Sequence, residues 1–246
     1  MRQVRTIRYR EIADDLRKRV EAGEFGTARV LPSESELSEG YEASRVTVRK
    51  ALEVLRDEGL VSSRQGFGWF VAGDPVRQSL GRLGTIEQQL AASGAATQRR
   101  IVGFGFVKAP RRAKEVLGEE TVLRVVRVNL ADGAPFAKVT VWCPESLGSK
   151  LSRDDLEQHS FLELLDVPLG GATQTIGAGA CTKADAELLE VPEGSPVLLA
   201  ERVTMAADGH AVLLSSHVFP AHLTEFVVDL PVAEASISPS GLRLVD

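Results

Sequence analysis

The sequence predicts an α+β protein in two parts. A small helical domain closed by a β-hairpin precedes a larger domain with a largely antiparallel sheet of about six strands and covering helices. Two observations predict this. The first part breaks into three helix-length segments with recognisable caps, followed by two short β-rich runs around a glycine-rich turn. The remainder holds an internal repeat, each copy of which turns on an Asp-Gly pair. Between the two, "AGDPVRQSLGRLG" at 72–84 mixes Gly, Pro and charge without a period. The expected division is therefore a domain at 1–73, a linker at 74–84 and a second domain at 85–246.

From Tyr9 to about Ala22, Ile12, Leu16 and Val20 recur every four residues among charged neighbours, an amphipathic helix stopped by Gly23 and Gly26. In "LPSESEL", Ser33 with Glu36 three residues on is a capping box that starts a short helix reaching about Gly40. Ser44 is the N-cap of a third helix ending near Glu58, before Gly59. On it Val48, Leu52 and Leu55 form a packing stripe, while Arg45, Arg49 and Arg56 repeat the spacing on another side. "LVSS" and "WFVA", joined by "RQGFG", read as a two-stranded wing. Two short helices about a turn, then a hairpin, make the winged helix-turn-helix pattern.

The chain carries 29 Lys plus Arg against 34 Asp plus Glu, a net charge of −5, which argues against a non-specific polyanion binder but not against a local basic face. A helix N-terminus concentrates partial positive charge and unpaired amides. Arginines in its first two turns can reach guanine O6 and N7 or grip phosphate, and the Thr47 hydroxyl can add a backbone contact. The alternative is a solvated basic stripe; its location on the third helix favours DNA. Arg2, Arg5, Arg8 and Arg10 either add phosphate contacts or form a solvated end. No apolar run suggests a membrane helix, and the basic start has no apolar signal core. Cys143 and Cys181 sit in apolar runs, so a cytoplasmic, disulfide-free protein is expected.

Four ordered pieces, "YREIADDLRKRV", "LPSESELSEGY", "SRVTVRKALEVLRDEGLV" and "SRQGFGWFV", together resemble the N-terminal domain of GntR-family bacterial transcription regulators. The resemblance implies that Arg45, Thr47 and Arg49 contact operator DNA from the helix that Ser44 begins. It also implies that Gly66, with Arg64 and Gln65, takes the wing tip into a minor groove. Two positions depart from the family pattern. Ser35 stands where an arginine often touches the operator, and Trp69 replaces the threonine of the wing's G-x-G-T. The operator is expected to differ from the common one accordingly.

In the second domain, "VLRVVRVNLADGAPFAKVTVWCP" from Val122 is repeated as "VLLAERVTMAADGHAVLLSSHVFP" from Val197. Arg127 and Arg202 are 75 residues apart, whereas Asp132 and Asp208 are 76 apart, so one residue has entered before the second turn. Upstream, "VGFGFVKA" and "IGAGACTK" each precede a helix-like piece. Each copy reads strand, helix, strand, turn, strand, with the helices expected on one face of the sheet. Gly103, Gly105, Gly177 and Gly179 fall inside strands, so they read as bulge or close-packing glycines rather than dinucleotide fingerprints. His159, His210, His217 and His222 show no metal spacing, and no nucleophile elbow is present. No catalytic residue, metal or cofactor is therefore expected.

The layout over about 85–235, with pieces such as "VPEGSPVLLAERV", resembles the UTRA effector-binding domain of the HutC subfamily of GntR regulators. The resemblance implies a chorismate-lyase-like fold, a small-molecule site between the two halves and a homodimer. A two-residue turn at Asp132-Gly133 would pair Ala131 with Ala134, Asn129 with Phe136 and Arg127 with Lys138. Opposed like charges call for solvent or an anion between them. With Arg202, Ser215 and His217 from the second copy, the expected effector set is Arg127, Asn129, Lys138, Arg202, Ser215 and His217. The alternative is an exposed basic strand pair. Relatives that sense phosphosugars often carry a second arginine where this chain has Asn129, and an Arg-Gly-Asp-like run where it has Pro220-Ala221-His222. A less charged metabolite is at least as good a reading as an aminosugar phosphate.

The functional expectation is a ligand-responsive repressor that binds a near-palindromic operator as a dimer, with half-sites about one helical turn apart. An enzyme built on the lyase-like fold is the alternative, against which the missing acid–base constellation weighs. A protein-docking role for the winged helix is opposed by the outward Arg45, Thr47 and Arg49.

Overall fold

The computed structural model describes residues 2–25, 29–64, 68–73, 76–80 and 96–230. The first domain packs α1 (Arg2–Glu21), α2 (Glu34–Gly40) and α3 (Arg45–Asp57) against an antiparallel pair, β1 (Val61–Arg64) and β2 (Gly68–Val71). Ile12 and Leu16 of α1 meet Leu37, Val48, Leu52, Leu55, Val61 and Trp69 in one core. Full burial of Val48, Leu52 and Leu55 contributes about 1.5–3 kcal/mol each. The capping box forms as expected: Ser33 Oγ accepts from the Glu36 amide at 3.2 Å, and Glu36 Oε2 accepts from the Ser33 amide at 2.7 Å. Gly59, at φ 76°, turns the chain out of α3 in a conformation that a side chain resists.

Charged groups also tie the helices to one another at the surface. Arg17 of α1 grips Glu58 after α3, with Nε at 3.0 Å and Nη2 at 2.7 Å from the carboxylate oxygens. Arg8 donates through Nη2 to the carbonyls of Tyr41 and Glu42 at 3.2 and 2.7 Å, pinning the corner between α2 and α3. The side chains of Arg2 and Arg5 lie outside the described residues.

The second domain is built from β4 (Thr97–Lys108), α4 (Arg111–Leu117), β5 (Thr121–Ala131) and β6 (Ala134–Pro144), repeated as β7 (Leu169–Ala180), α8 (Lys183–Leu189), β8 (Pro196–Ala206) and β9 (Ala211–Pro220). Between the copies lie α5 (Glu145–Gly148), α6 (Arg153–Gln158) and α7 (Phe161–Leu164). The six strands form one antiparallel sheet in the order β4-β5-β6-β9-β8-β7, so the copies meet at β6 and β9. Helices cover both faces, not one as the repeat alone suggested. The α5–α7 insert belongs to neither copy and, with its own Phe161, buries Val125, Val141 and Phe219 on one face. On the other face α4 covers Val122 and Leu214, and α8 covers Val197 and Val218.

The first turn is the expected two-residue hairpin, with Asp132 at φ 50° and Gly133 at φ 81° and Ala131 opposite Ala134. The ladder beyond it differs from the expected count. Leu130 pairs with Pro135 and Asn129 with Ala137, leaving Phe136 as an unpaired bulge residue. Arg127 therefore faces Val139, not Lys138, and Asn129 faces Ala137, not Phe136. Lys138 stands on the opposite face, where its Nζ is 2.6 Å from Asp185 Oδ1 of α8. The second copy has the same device: Thr204 pairs with Leu213 and Met205 with Ala211, which leaves Val212 extra.

Part of the expected linker is a strand. β3 (Val76–Ser79) runs parallel to β10 (Thr224–Val227), while residues 74, 75 and 81–84 lie outside the described residues. Two further contacts join the domains. The Phe70 ring of β2 lies 5.4 Å from the His222 ring, and Val30 packs on the Cys181, Leu189, Val197 and Val218 cluster.

The half-buried Lys138–Asp185 pair yields a stability prediction. Asp185→Asn leaves an ammonium group without its counter-charge and should lower stability by about 2 kcal/mol, below the value for a fully buried pair because Lys138 keeps some solvent contact. Urea denaturation would measure it.

Candidate functional site

At the head of α3, Ser44 Oγ accepts from the Thr47 amide at 3.2 Å and lies 2.8 Å from Thr47 Oγ1. Arg45, Val46 and Arg49 are exposed around this capped end, and Thr47 is half-buried among them. Val46 was not singled out from the sequence. It is 78% exposed, and an aliphatic side chain there suits a thymine methyl. Its signal was present, since it lies off the Val48–Leu52–Leu55 stripe.

Glu34, the first residue of α2, was also missed. Its carboxylate accepts from Arg49 Nε at 2.9 Å and Nη2 at 2.6 Å, and from Trp69 Nε1 at 3.1 Å. The Arg49 guanidinium holds this carboxyl below the usual range; partial burial opposes the shift and the indole N–H reinforces it. Ser35 is half-buried beside it. Arg64 ends β1, but its side chain, Gln65 and Gly66 lie outside the described residues.

In the second domain the ladder assembles two rows on the α5–α7 face. One runs Arg127, Val139, His217, Ala200, and the other Val125, Val141, Ser215, Arg202, Gln174. Asn129 lies on the same face two residues from Arg127. Five of the six expected effector residues are thus brought together, and Lys138 is not. Arg127 is 7% exposed and Asn129 1%, which is not the surface of an exposed basic strand pair. Arg202 Nε donates to Gln174 Oε1 at 2.7 Å, and His217 Nε2 lies 3.0 Å from Ser215 Oγ. Burial, aided by the charges of Arg202 and Arg127, pushes His217 down to about 3, so it stays neutral. No residue in the two rows is acidic. The rows thus bring together guanidinium, amide, hydroxyl and imidazole groups, which are able to bind anionic or hydrogen-bonding oxygens.

The remaining candidates are structural. Burial pushes the Cys143 thiol up to about 12 and raises that of Cys181, so both are unreactive. Among the described residues no three His, Cys, Asp or Glu side chains gather as a metal site, and no helix is long and apolar enough to cross a membrane.

Comparison with known proteins gives the family. The family described as bacterial regulatory proteins, gntR family, matches residues 8–71, and the UTRA domain family matches 92–224. The chain belongs to the GntR family and carries a UTRA domain. The HTH-type transcriptional repressor NagR of Bacillus subtilis (strain 168) is 28% identical over 225 residues, covering 89% of this chain and 93% of that protein. The HTH-type transcriptional regulator Rv0792c of Mycobacterium tuberculosis is 32% identical over 224 residues, covering 88% and 82% respectively. PhnF from Mycobacterium smegmatis, a solved structure 24% identical, shares the fold with a TM-score of 0.58 over 82% of this chain and 92% of its own. As a GntR-family member this protein is a transcription regulator. The α3 edge falls inside its gntR segment and the polar rows inside its UTRA segment.

The depressed His217 gives this regulator a pH signature. The unfolded chain takes up a proton below about 6.5, whereas the folded site refuses it until about 3. Stability is thus complete above the unfolded value and lost as pH falls, by up to about 1.4 kcal/mol per pH unit. Comparing urea midpoints at pH 6.5 and 4.5, His217→Asn should lose roughly 2 kcal/mol less than the wild type across that interval.

Proposed function

We propose that this regulator is a repressor that binds a near-palindromic operator as a homodimer, and that a small anionic or polar metabolite in the UTRA rows changes its hold on DNA. The observation that carries this reading is the Ser44-capped end of α3, with Arg45, Val46 and Arg49 exposed around it. Arg45 and Arg49 would reach guanine edges or phosphate, Val46 a thymine methyl and Thr47 the backbone. Ser35 would stand beside the operator, and Arg64, Gln65 and Gly66 would enter a minor groove. The word repressor in the name of the Bacillus subtilis relative supports the direction of regulation.

In the effector rows, Arg127 and Arg202 would supply charge, and Asn129, Ser215 and neutral His217 would supply hydrogen bonds. Lys138 is left out, because its face and its Asp185 partner keep it from the rows. The connection to DNA would run through packed side chains. His217 stacks on Phe219 at 5.7 Å, and Phe219 meets Phe226 of β10 edge-on at 5.6 Å. β10 holds β3, which leads back to the DNA-binding domain. A ligand that displaces His217 would act on that ladder, provided it binds the two arrangements with different affinity.

Thermal-shift screening would find the metabolite, since a ligand that binds only the folded state raises its melting temperature. Fluorescence polarisation with the promoter preceding the protein's own gene tests the rest. Arg45→Ala should weaken operator binding about tenfold or more. Arg127→Ala should abolish the metabolite's effect while leaving ligand-free operator affinity unchanged, and Lys138→Met should leave both intact. A metabolite response that survives Arg127→Ala would overturn the effector assignment.

A further inference from the structure

The wing position that departs from its family, Trp69, has a use that follows from its hydrogen bond. Ser63 faces it across the β1–β2 pair, and its ring is buried in the core of the first domain at 7% exposure. From there the indole Nε1 donates to Glu34 Oε1 at 3.1 Å. A threonine at this place has no donor of that reach. Glu34 in turn takes one edge of the Arg49 guanidinium, Nε and Nη2, at 2.9 and 2.6 Å.

That division matters because a guanidinium presents five N–H groups in a flat fork. With the Nε side occupied, the terminal edge is left for another acceptor pair, and it is this edge that matches guanine O6 and N7. The Glu34 side chain is 20% exposed and that of Arg49 61%, so the anchor lies below the surface while the fork projects from it. A long side chain held before binding loses less rotamer freedom when it binds. The adjacent carboxylate also offsets the Arg49 charge, which makes the pair a weak phosphate anchor and a better base reader.

We propose that Trp69 and Glu34 form a positioning relay that pre-orients Arg49 for a base edge, so that Trp69 sets operator specificity without touching DNA. This rests on the reading of Arg49 as a DNA contact.

The test uses the full chain and a duplex that the wild type selects from a randomised pool, together with variants of that duplex in which each G·C pair is inverted. Arg49→Ala should weaken binding to the selected duplex roughly tenfold or more, and should erase discrimination at one base pair. Trp69→Phe keeps an aromatic ring but removes the N–H. It should weaken selected-duplex binding about fivefold and blunt discrimination at the same base pair. Affinity for random duplex and the salt dependence should not change. In the Arg49→Ala background, Trp69→Phe should have no further effect. Equal weakening by Trp69→Phe in both backgrounds would reduce the tryptophan to a packing residue and overturn the relay. If Arg49→Ala itself leaves selected-duplex binding unchanged, the DNA-contact reading of Arg49 fails and the relay falls with it. Should Trp69→Phe fail to fold, Glu34→Gln tests the same non-additivity, with the same two outcomes.

Discussion

Side chains alternate across a strand, so one unpaired residue reverses the faces of everything beyond it. Phe136 does this on β6 and Val212 on β9. Past Phe136, the inward set becomes Ala137, Val139, Val141 and Cys143, all packed in the α5–α7 core, while Lys138 and Trp142 pass to the other side. Past Val212, Ser215 and His217 turn toward Arg127 instead of away from it. Without the two bulges the core would receive an ammonium group, and the polar rows would be split between faces. Packing and the assembly of the polar rows thus depend on the same pair of extra residues.

The two domains place charge differently. In the second, the guanidinium groups of Arg127 and Arg202 lie on the α5–α7 face, buried in the first case and half-buried in the other, in rows made of neutral side chains. In the first, the exposed arginines stand near Glu34, which balances part of their charge and restricts their geometry. A chain with net negative charge can therefore still offer a small basic edge, because the sign of the whole is set elsewhere.

Much of the fold was legible because it is local. The Ser33–Glu36 box, the Ser44 cap, the Gly59 stop and the Asp132-Gly133 turn each depend on residues within one helical turn or hairpin, and each forms as its chemistry dictates. The repeat likewise disclosed the six strands. The bulges were not legible, for a specific reason. Comparing the copies exposes only insertions that differ between them, and both copies contain a bulge. The faulty pairing of Arg127 with Lys138 came from counting back from the turn across an unseen extra residue. Glu34 was overlooked because its partners, Arg49 and Trp69, are distant in sequence and meet only once the helices pack. The insert helices, falling between the copies, gave no periodic clue to the face they cover.

The parallel pairing of β3 with β10 changes what kind of connector joins the domains. A flexible tether would let the DNA-reading head wander, at a cost that varies smoothly with distance. A ladder of backbone hydrogen bonds behaves as a latch, because its rungs form together or are lost together. If the proposed effector coupling operates, a disturbance near Phe226 would therefore release or hold the head in steps rather than by degrees.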